Sequence, residues 1–251
     1  MTRLYVEDAE LYDIAFDWDV APEADWLVER LGAHCRSVLE PGCGSGRILL
    51  ELAHRGLEVT GLDLSPRMVE LARLRLGELG TVVGADMTDF ALGGRFDGAV
   101  SPINTLLHLT PVQLAHHLDC MARHLQADAR YLVQVGLIEP DQWEPFAGSH
   151  WEASRGAVKL TAAWVDEELD AVRGRSRQRS RIEVLEGERA GEIIEEVHDM
   201  TAWTPTTWAD AVEASPFGEV ATYDGGKSGQ WPRVEPTATG GLLWHELVAR
   251  S

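Results

Sequence analysis

Between residues 37 and 135, short β-branched runs alternate with longer amphipathic stretches, and no other feature constrains the fold of this chain as tightly. Residues 37–40, 58–62, 81–84, 98–101 and 129–135 read as strands. Residues 47–55 read as a helix with Ile48, Leu49, Leu52 and Ala53 on one face, and 111–125 as another. Ser65 is an N-cap with Pro66 at the first helical position, starting a helix that runs to about residue 77. Such alternation produces parallel strands joined by right-handed crossovers, with helices on both faces. Ligands of these sheets bind at the carboxyl ends of the strands.

After Gly136 the pattern changes. Segments 159–166, 171–185 and 192–203 are long, alternating and separated by turn-like Glu-Glu-Leu-Asp and Glu-Gly-Glu-Arg-Ala-Gly, the pattern of an antiparallel meander. Thr204 or Thr206 caps a helix through residue 214, and 219–223 with 242–249 close the main sheet as an antiparallel pair. Residues before Trp18 suit a helical arm, and 22–31 a helix leading into the first strand. The expected fold is α/β, a doubly wound, mostly parallel seven-stranded sheet with helices on both faces and an inserted antiparallel β meander.

Apolar residues make up 45% of the 251 and charged residues 25%, the balance of a soluble globular protein. No run of about 18 uncharged apolar residues is present, so no membrane span is expected. The polar start Met-Thr-Arg-Leu-Tyr-Val-Glu-Asp lacks the features of a secretory signal. Cys35, Cys43 and Cys120 are an odd count without metal-ligand spacing, which points to a reducing cytoplasm and to no metal site. A net charge of −19 repels nucleic-acid phosphates and favours a small-molecule partner.

The turn after the first strand is Glu40-Pro41-Gly42-Cys43-Gly44-Ser45-Gly46. Glycines at alternate positions let backbone approach a ligand, and the following helix points its N–H groups at the same space. A dinucleotide turn requires Gly-x-Gly-x-x-Gly, and Arg47 occupies the final glycine position, which weakens a nicotinamide oxidoreductase reading. Glu40-x-Gly42-x-Gly44-x-Gly46 instead resembles the first motif of the class I S-adenosylmethionine-dependent methyltransferases. Asp63 ends the second strand, within Val-Thr-Gly-Leu-Asp-Leu-Ser-Pro. Gly84-Ala85-Asp86-Met87 follows the third, and Phe96-Asp97-Gly98-Ala99-Val100 resembles the fourth.

The resemblance covers roughly residues 36–136 and implies S-adenosyl-L-methionine as cofactor, leaving as S-adenosyl-L-homocysteine. Carried onto this sequence, it gives Glu40, Gly42, Cys43, Gly44, Gly46, Asp63, Leu64, Asp86, Met87 and Ser101 as the cofactor set. Asp63 would hold the ribose diol and Asp86 the adenine amino group. Glu40 would contact the methionine amine through water or hold the turn together, and Cys43 is a small spacer. The competing reading makes the glycines a tight turn and the two aspartates loop carboxylates. One domain over 1–251 is expected, with an N-terminal arm or lid at 1–33 and the cofactor-binding core at 36–136. The insertion at 150–203 would be an acceptor cap or dimer surface, and 204–251 the closing helix and strands.

Methyl transfer from a sulfonium is an in-line displacement in which the protein aligns the acceptor, excludes water and keeps the nucleophile unprotonated. The stretch from Ser101 to His108 should face the methyl group, making Asn104 and His108 its candidate polar groups. His108 reads either as a base or as a hydrogen-bonded helix-start residue. Tyr12 resembles the aromatic of N-terminal lids in small-molecule members and equally suits an apolar anchor. The adjacent His116 and His117 face different directions and make poor metal ligands. Arg173, Arg175, Arg177, Arg179 and Arg181 share one strand face, either as an anion-binding surface or paired with acids such as Glu167, Glu168, Glu192 and Glu196. Trp164 and Trp203 line an acceptor pocket or pack the sheet. The meander also looks like that of glycine/sarcosine and amino-sugar N-methyltransferases. The expected function is methylation of a small-molecule acceptor, nitrogen slightly favoured over oxygen, in a protein whose exposed meander edges suit a homodimer. The alternative is a non-catalytic S-adenosylmethionine-binding protein that uses the meander for interaction.

Overall fold

The computed structural model describes residues 2–139, 141, 143–144, 148–226, 230–235 and 241–250. Its core strands are β1 (Ser37–Pro41), β2 (Glu58–Asp63), β3 (Gly80–Gly84), β4 (Phe96–Ser101) and β5 (Leu125–Leu137). They pair in parallel in the spatial order β3-β2-β1-β4-β5. Chain order reverses between β1 and β4, which opens a crevice at their carboxyl ends.

The helices are α1 (Ala9–Ala15), α2 (Ala21–Leu31), α3 (Arg47–His54), α4 (Pro66–Leu76), α5 (Pro111–His124) and α6 (Pro205–Glu213). Local chemistry starts several of them. The Ser65 hydroxyl accepts from Met68 N at 3.2 Å, Thr110 and Gln113 form a capping box, and Thr204 rather than Thr206 caps α6 with Thr207. Leu27, Leu49, Leu52 and Ala72 of α2, α3 and α4 pack on one sheet face, and Leu114, Leu118, Met121 and Trp208 of α5 and α6 on the other.

The insertion between β5 and α6 forms a separate sheet of β6 (Ser149–Arg155), β7 (Val158–Asp170), β8 (Arg175–Glu186) and β9 (Ile193–Thr201), antiparallel throughout. The sequence pattern reveals three of these strands; β6 alternates too weakly to stand out. The insertion leaves and returns side by side, because Trp203 bridges Leu137 and Ile138 N donates to Trp203 O at 2.7 Å. Strands β10 (Phe217–Asp224) and β12 (Gly241–Ala249) then extend the main sheet antiparallel to β5. Arg233–Val234 adds a two-residue edge, β11, so the sheet counts eight strands where seven are expected. Two residues are too few to display a period.

One face of the insertion covers the arm: Leu160, Ala162, Ile182, Val184 and Ile194 pack against Leu4, Leu11, Ile14 and Ala15. The arginine stripe lies on the opposite face, and three of its members pair with acids there. Arg177 meets Glu168 at 3.3 Å, Arg179 meets Glu167 at 2.5 Å and Arg181 meets Glu195 at 3.2 Å. Arg173 falls outside the strand, in the turn before β8, where it pairs with Asp170 at 2.9 Å. Of the other expected acids, Glu192 pairs with Arg189, and Glu196 accepts from Arg3 N and Leu4 N at 2.6 and 3.0 Å. No helix among the described residues is long and apolar enough to cross a membrane.

Candidate active site

The glycine turn sits where β1 ends and α3 begins, at the β1/β4 crevice. Gly42, Gly44 and Gly46 have φ of 68°, 53° and 77°, values that side chains with a Cβ adopt at a cost. At Gly42 a Cβ would also come within 2.6 Å of Thr105 Cγ2, whereas Gly44 faces open space. The Met87 sulfur lies 3.7 Å from the same point, so β3's exit and the β4 loop both border the turn.

Asp63 fixes the turn's shape. Gly44 N donates to its Oδ2 at 2.9 Å and Ser65 N to its Oδ1 at 2.8 Å. Each carboxylate oxygen keeps a further lone pair for a ligand hydroxyl. Burial raises the Asp63 pKa against the pull of those N–H groups. Leu64 follows it with 57% exposure, an apolar surface at the rim. Asp86 is exposed beyond β3, and its Oδ1 takes both the N–H and the hydroxyl of Thr88 at 2.8 and 2.7 Å. Cys43 is buried, and desolvation beside Glu40 and Asp63 holds its thiol well above the usual range, so it is no thiolate nucleophile.

Two ionisable groups in the crevice each keep one atom without a hydrogen bond. Glu40 is 3% exposed, its Oε2 makes no hydrogen bond, and desolvation pushes its carboxyl far above the usual range. Arg47 has a buried, unbonded Nη1 and a guanidinium 4.6 Å above the Trp18 ring. Glu23 from α2 faces the same space, its carboxyl raised to about 7 by desolvation although Arg47 opposes the shift. A glycine cradle, a carboxylate at one end and unsatisfied buried charges at the other fit a nucleoside carrying an amino-acid tail. Among the described residues no group of three His, Cys, Asp or Glu could hold a metal ion.

The arm roofs the cradle. Tyr12 stacks on Phe16 at 4.3 Å and meets Tyr5 edge-on at 5.1 Å. Desolvation raises its hydroxyl to about 12, so it is a neutral phenol at physiological pH. Asp13 of α1 accepts from Ser45 of the glycine turn, from Arg75 of α4 at 2.8 Å and from Arg155 of β6 at 2.5 Å. One buried carboxylate thus fastens arm, cradle and insertion together.

Past Ser101, buried at the end of β4, the backbone is strained. Ile103 and Asn104 have φ of 47° and 61°, and the first is costly for a β-branched residue. Gln134 Oε1 accepts from Ile103 N at 2.7 Å, and Asn104 Oδ1 accepts from Gly136 N at 2.6 Å. The Asn104 oxygen is therefore engaged in shaping the loop, which leaves its amide N–H groups for a ligand. His108 is reached by solvent, yet crowding by protein and by His198 lowers its pKa to about 4. His117 is a buried core histidine between Met87 O and the Tyr131 hydroxyl at 2.8 and 2.9 Å.

Across from His108 the insertion's inner face turns polar. Trp164 stacks on His198 at 4.6 Å, and its Nε1 donates to Gln178 Oε1 at 2.8 Å. Ser180 and His198 Nε2 share a hydrogen bond of 2.8 Å, while His198 Nδ1 is buried without one. Strand register sets Gln178 between Asp166 and His198. Tyr5 bridges the two sides, 5.8 Å from the His108 ring and 6.1 Å from that of His198. Trp203, by contrast, is buried in the core. Sequence reasoning missed Arg47, Glu23, Tyr5, Gln178 and His198; only Arg47, next to Gly46, lay beside a visible motif.

Residues 38–128 match the sequence family described as methyltransferase domain. The chain is 29% identical over 235 residues to a dTDP-3-amino-3,6-dideoxy-alpha-D-glucopyranose N,N-dimethyltransferase from Streptomyces fradiae, covering 89% of this chain and 88% of that one. Among solved structures, DesVI of Streptomyces venezuelae superposes with a TM-score of 0.77 at 22% identity, over 98% of both chains. The S-adenosylmethionine-bound amino pentose methyltransferase of Micromonospora echinaspora gives 0.74 at 21%, over 96% of both. The likeness to these structures therefore includes arm and insertion as well as the parallel core.

Proposed function

The chain belongs to the class I S-adenosylmethionine-dependent methyltransferases, and from that premise we propose that it methylates the amino group of a small, polyhydroxylated, sugar-like acceptor. The observation that carries this reading is the cluster of aromatic and polar side chains where the insertion meets the β4 loop. Trp164 contributes an apolar ring face to it, and Gln178, Asp166, His198, His108 and Tyr5 contribute hydrogen-bonding groups. A ring whose one face is C–H and whose edge is hydroxyl suits such a lining. The relatives that share the insertion act on amino sugars by name.

S-Adenosylmethionine, when bound, supplies the electrophilic methyl group. The chain's residues do the rest. Asp63 would accept from the ribose hydroxyls, the glycine turn would admit the tail, and Leu64, Asp86 and Met87 would border the adenine. The arm and insertion close over the donor and keep water out. His108, neutral at physiological pH because of its lowered pKa, can accept a hydrogen bond from the acceptor's N–H and aim the nitrogen lone pair. Incubation of the purified protein with S-adenosylmethionine and nucleotide-linked amino sugars, read by mass spectrometry, should show one or two added methyl groups. Equal transfer to the matching hydroxyl sugars would sink the nitrogen assignment. Asp63→Ala should lose at least about tenfold in S-adenosylhomocysteine affinity by calorimetry, since two charge-assisted hydrogen bonds disappear.

A further inference from the structure

Helix α5 carries His117, Cys120 and His124 at a spacing that sets them on one buried face. All three reach the backbone of the segment that joins β3 to β4. His117 Nδ1 meets Met87 O at 2.8 Å, Cys120 Sγ meets Phe90 O at 3.4 Å, and His124 Nε2 accepts from Leu92 N at 3.1 Å. Phe90 is buried among them, its ring 4.4 Å from that of His124. Residues 85–92 belong to no helix or strand, so α5 supplies their fixed points. The tautomer of His117 follows from its partners. A carbonyl oxygen only accepts, so Nδ1 carries the proton and Nε2 takes the hydrogen of the Tyr131 hydroxyl at 2.9 Å. Desolvation lowers the ring's pKa to about 4, although the Met87 bond opposes it, and raises that of Tyr131. At physiological pH the ring is therefore neutral, with its donor edge on the loop and its acceptor edge fixed from β5.

We propose that His117 is a positioning residue for the donor's base: by pinning Met87 O it aims the adjoining Asp86 at the exocyclic amino group and so sets this chain's selectivity for adenine. The inference rests on the donor reading above and adds to it a buried group that touches no ligand. Thr88 already holds Asp86 Oδ1 through its N–H and hydroxyl, so the turn is rigid within itself. What remains to be fixed is where the turn stands against the sheet, and the line from Tyr131 through His117 to Met87 O fixes it. A recognition group works at full strength only when neighbouring hydrogen bonds lock its position.

Calorimetry of the full chain with two probes tests this: S-adenosylhomocysteine and its purine analogue, in which hydrogen replaces the 6-amino group. The parent should prefer the first by at least about tenfold, the worth of one charge-assisted hydrogen bond. A glutamine amide takes the place of Nε2 and an asparagine amide that of Nδ1. His117→Gln should therefore keep the Tyr131 contact, lose the Met87 bond and reduce the preference to within about threefold. His117→Asn, which restores the donor to Met87 O, should stay within about twofold of the parental preference. His117→Leu fills the space with no polar atom, should match His117→Gln, and replaces it in the test if the glutamine variant does not fold. Leu118→Ala, a cavity at the next buried position of α5, should lower the melting temperature and leave the preference parental. Parental preference in His117→Gln or His117→Leu, or an equal drop in Leu118→Ala, would overturn the assignment. Equal affinity of the parent for both probes would overturn it and leave the donor reading standing. Failure of the parent to bind either would defeat both.

Discussion

At the scale of single residues, unusual backbone and unusual burial identify the positions that matter. Asn104 holds a left-handed conformation and satisfies Gly136 N. Asn104→Ala should lower stability by about 1–3 kcal/mol, because alanine resists that conformation and strands the N–H. Asn104→Gly should lose less, as only the hydrogen bond goes, and thermal unfolding of both variants checks the order. Glu23 gives a pH test. Its folded-state pKa of about 7 lies above the ordinary carboxylate value, so the folded state holds its proton more tightly than the unfolded chain. The resulting destabilisation is absent at low pH, grows as pH rises above the unfolded value, and is complete above about pH 7. Glu23→Gln should therefore raise stability by about 1–3 kcal/mol at pH 8 and leave it nearly unchanged at pH 5. A shift of equal size at both pH values would contradict this.

At the scale of elements, sequence legibility divides along the insertion boundary. The parallel core was readable because helix and strand periods differ, and because Ser65-Pro66 and Gly42-x-Gly44-x-Gly46 carry their own chemistry. The donor half of the site follows, since its residues cluster at strand ends next to those motifs. Of the proposed acceptor half, His108 and Trp164 were readable and the rest was not. Tyr5 and His198 come together from opposite ends of the chain, and only packing of the arm beneath the insertion joins them. Arg47 hid for another reason: as a helix-start arginine it has an ordinary surface role until Trp18 and Glu40 are seen around it. The element contact most open to test is α1 on its latch. Asp13→Asn removes the buried carboxylate and leaves Arg75 and Arg155 only the half-exposed Asp17, which should cost about 1–3 kcal/mol. Limited proteolysis should then cut within the arm faster than in the parent, while Arg155→Ala, which frees the insertion side alone, should do so less.

At the scale of the molecule, the insertion's inner apolar strip has no layer of its own except the arm. Leu160, Ala162, Ile182, Val184 and Ile194 lie against Leu4, Leu11, Ile14 and Ala15. A sheet with one uncovered apolar face exposes an aggregation-prone surface. Deletion of residues 2–17 should therefore produce a chain that binds a hydrophobic dye strongly and associates on gel filtration, with the parallel core's circular dichroism largely retained. A monomeric truncation without dye binding would show that the insertion stands alone. The arginine stripe makes the outer face different in kind: Arg177, Arg179 and Arg181 are met by neighbouring acids, in a molecule of net charge −19.

The latch at Asp13 also bears on timing. The same carboxylate that closes the arm bonds Ser45 of the glycine turn, so a spent donor departs only after the arm has let go of the surface that carried it. Release, not transfer, should then set the pace of repeated cycles. Rapid-quench measurements would show a fast first turnover followed by slower ones, and Asp13→Asn would flatten that burst by speeding the exit.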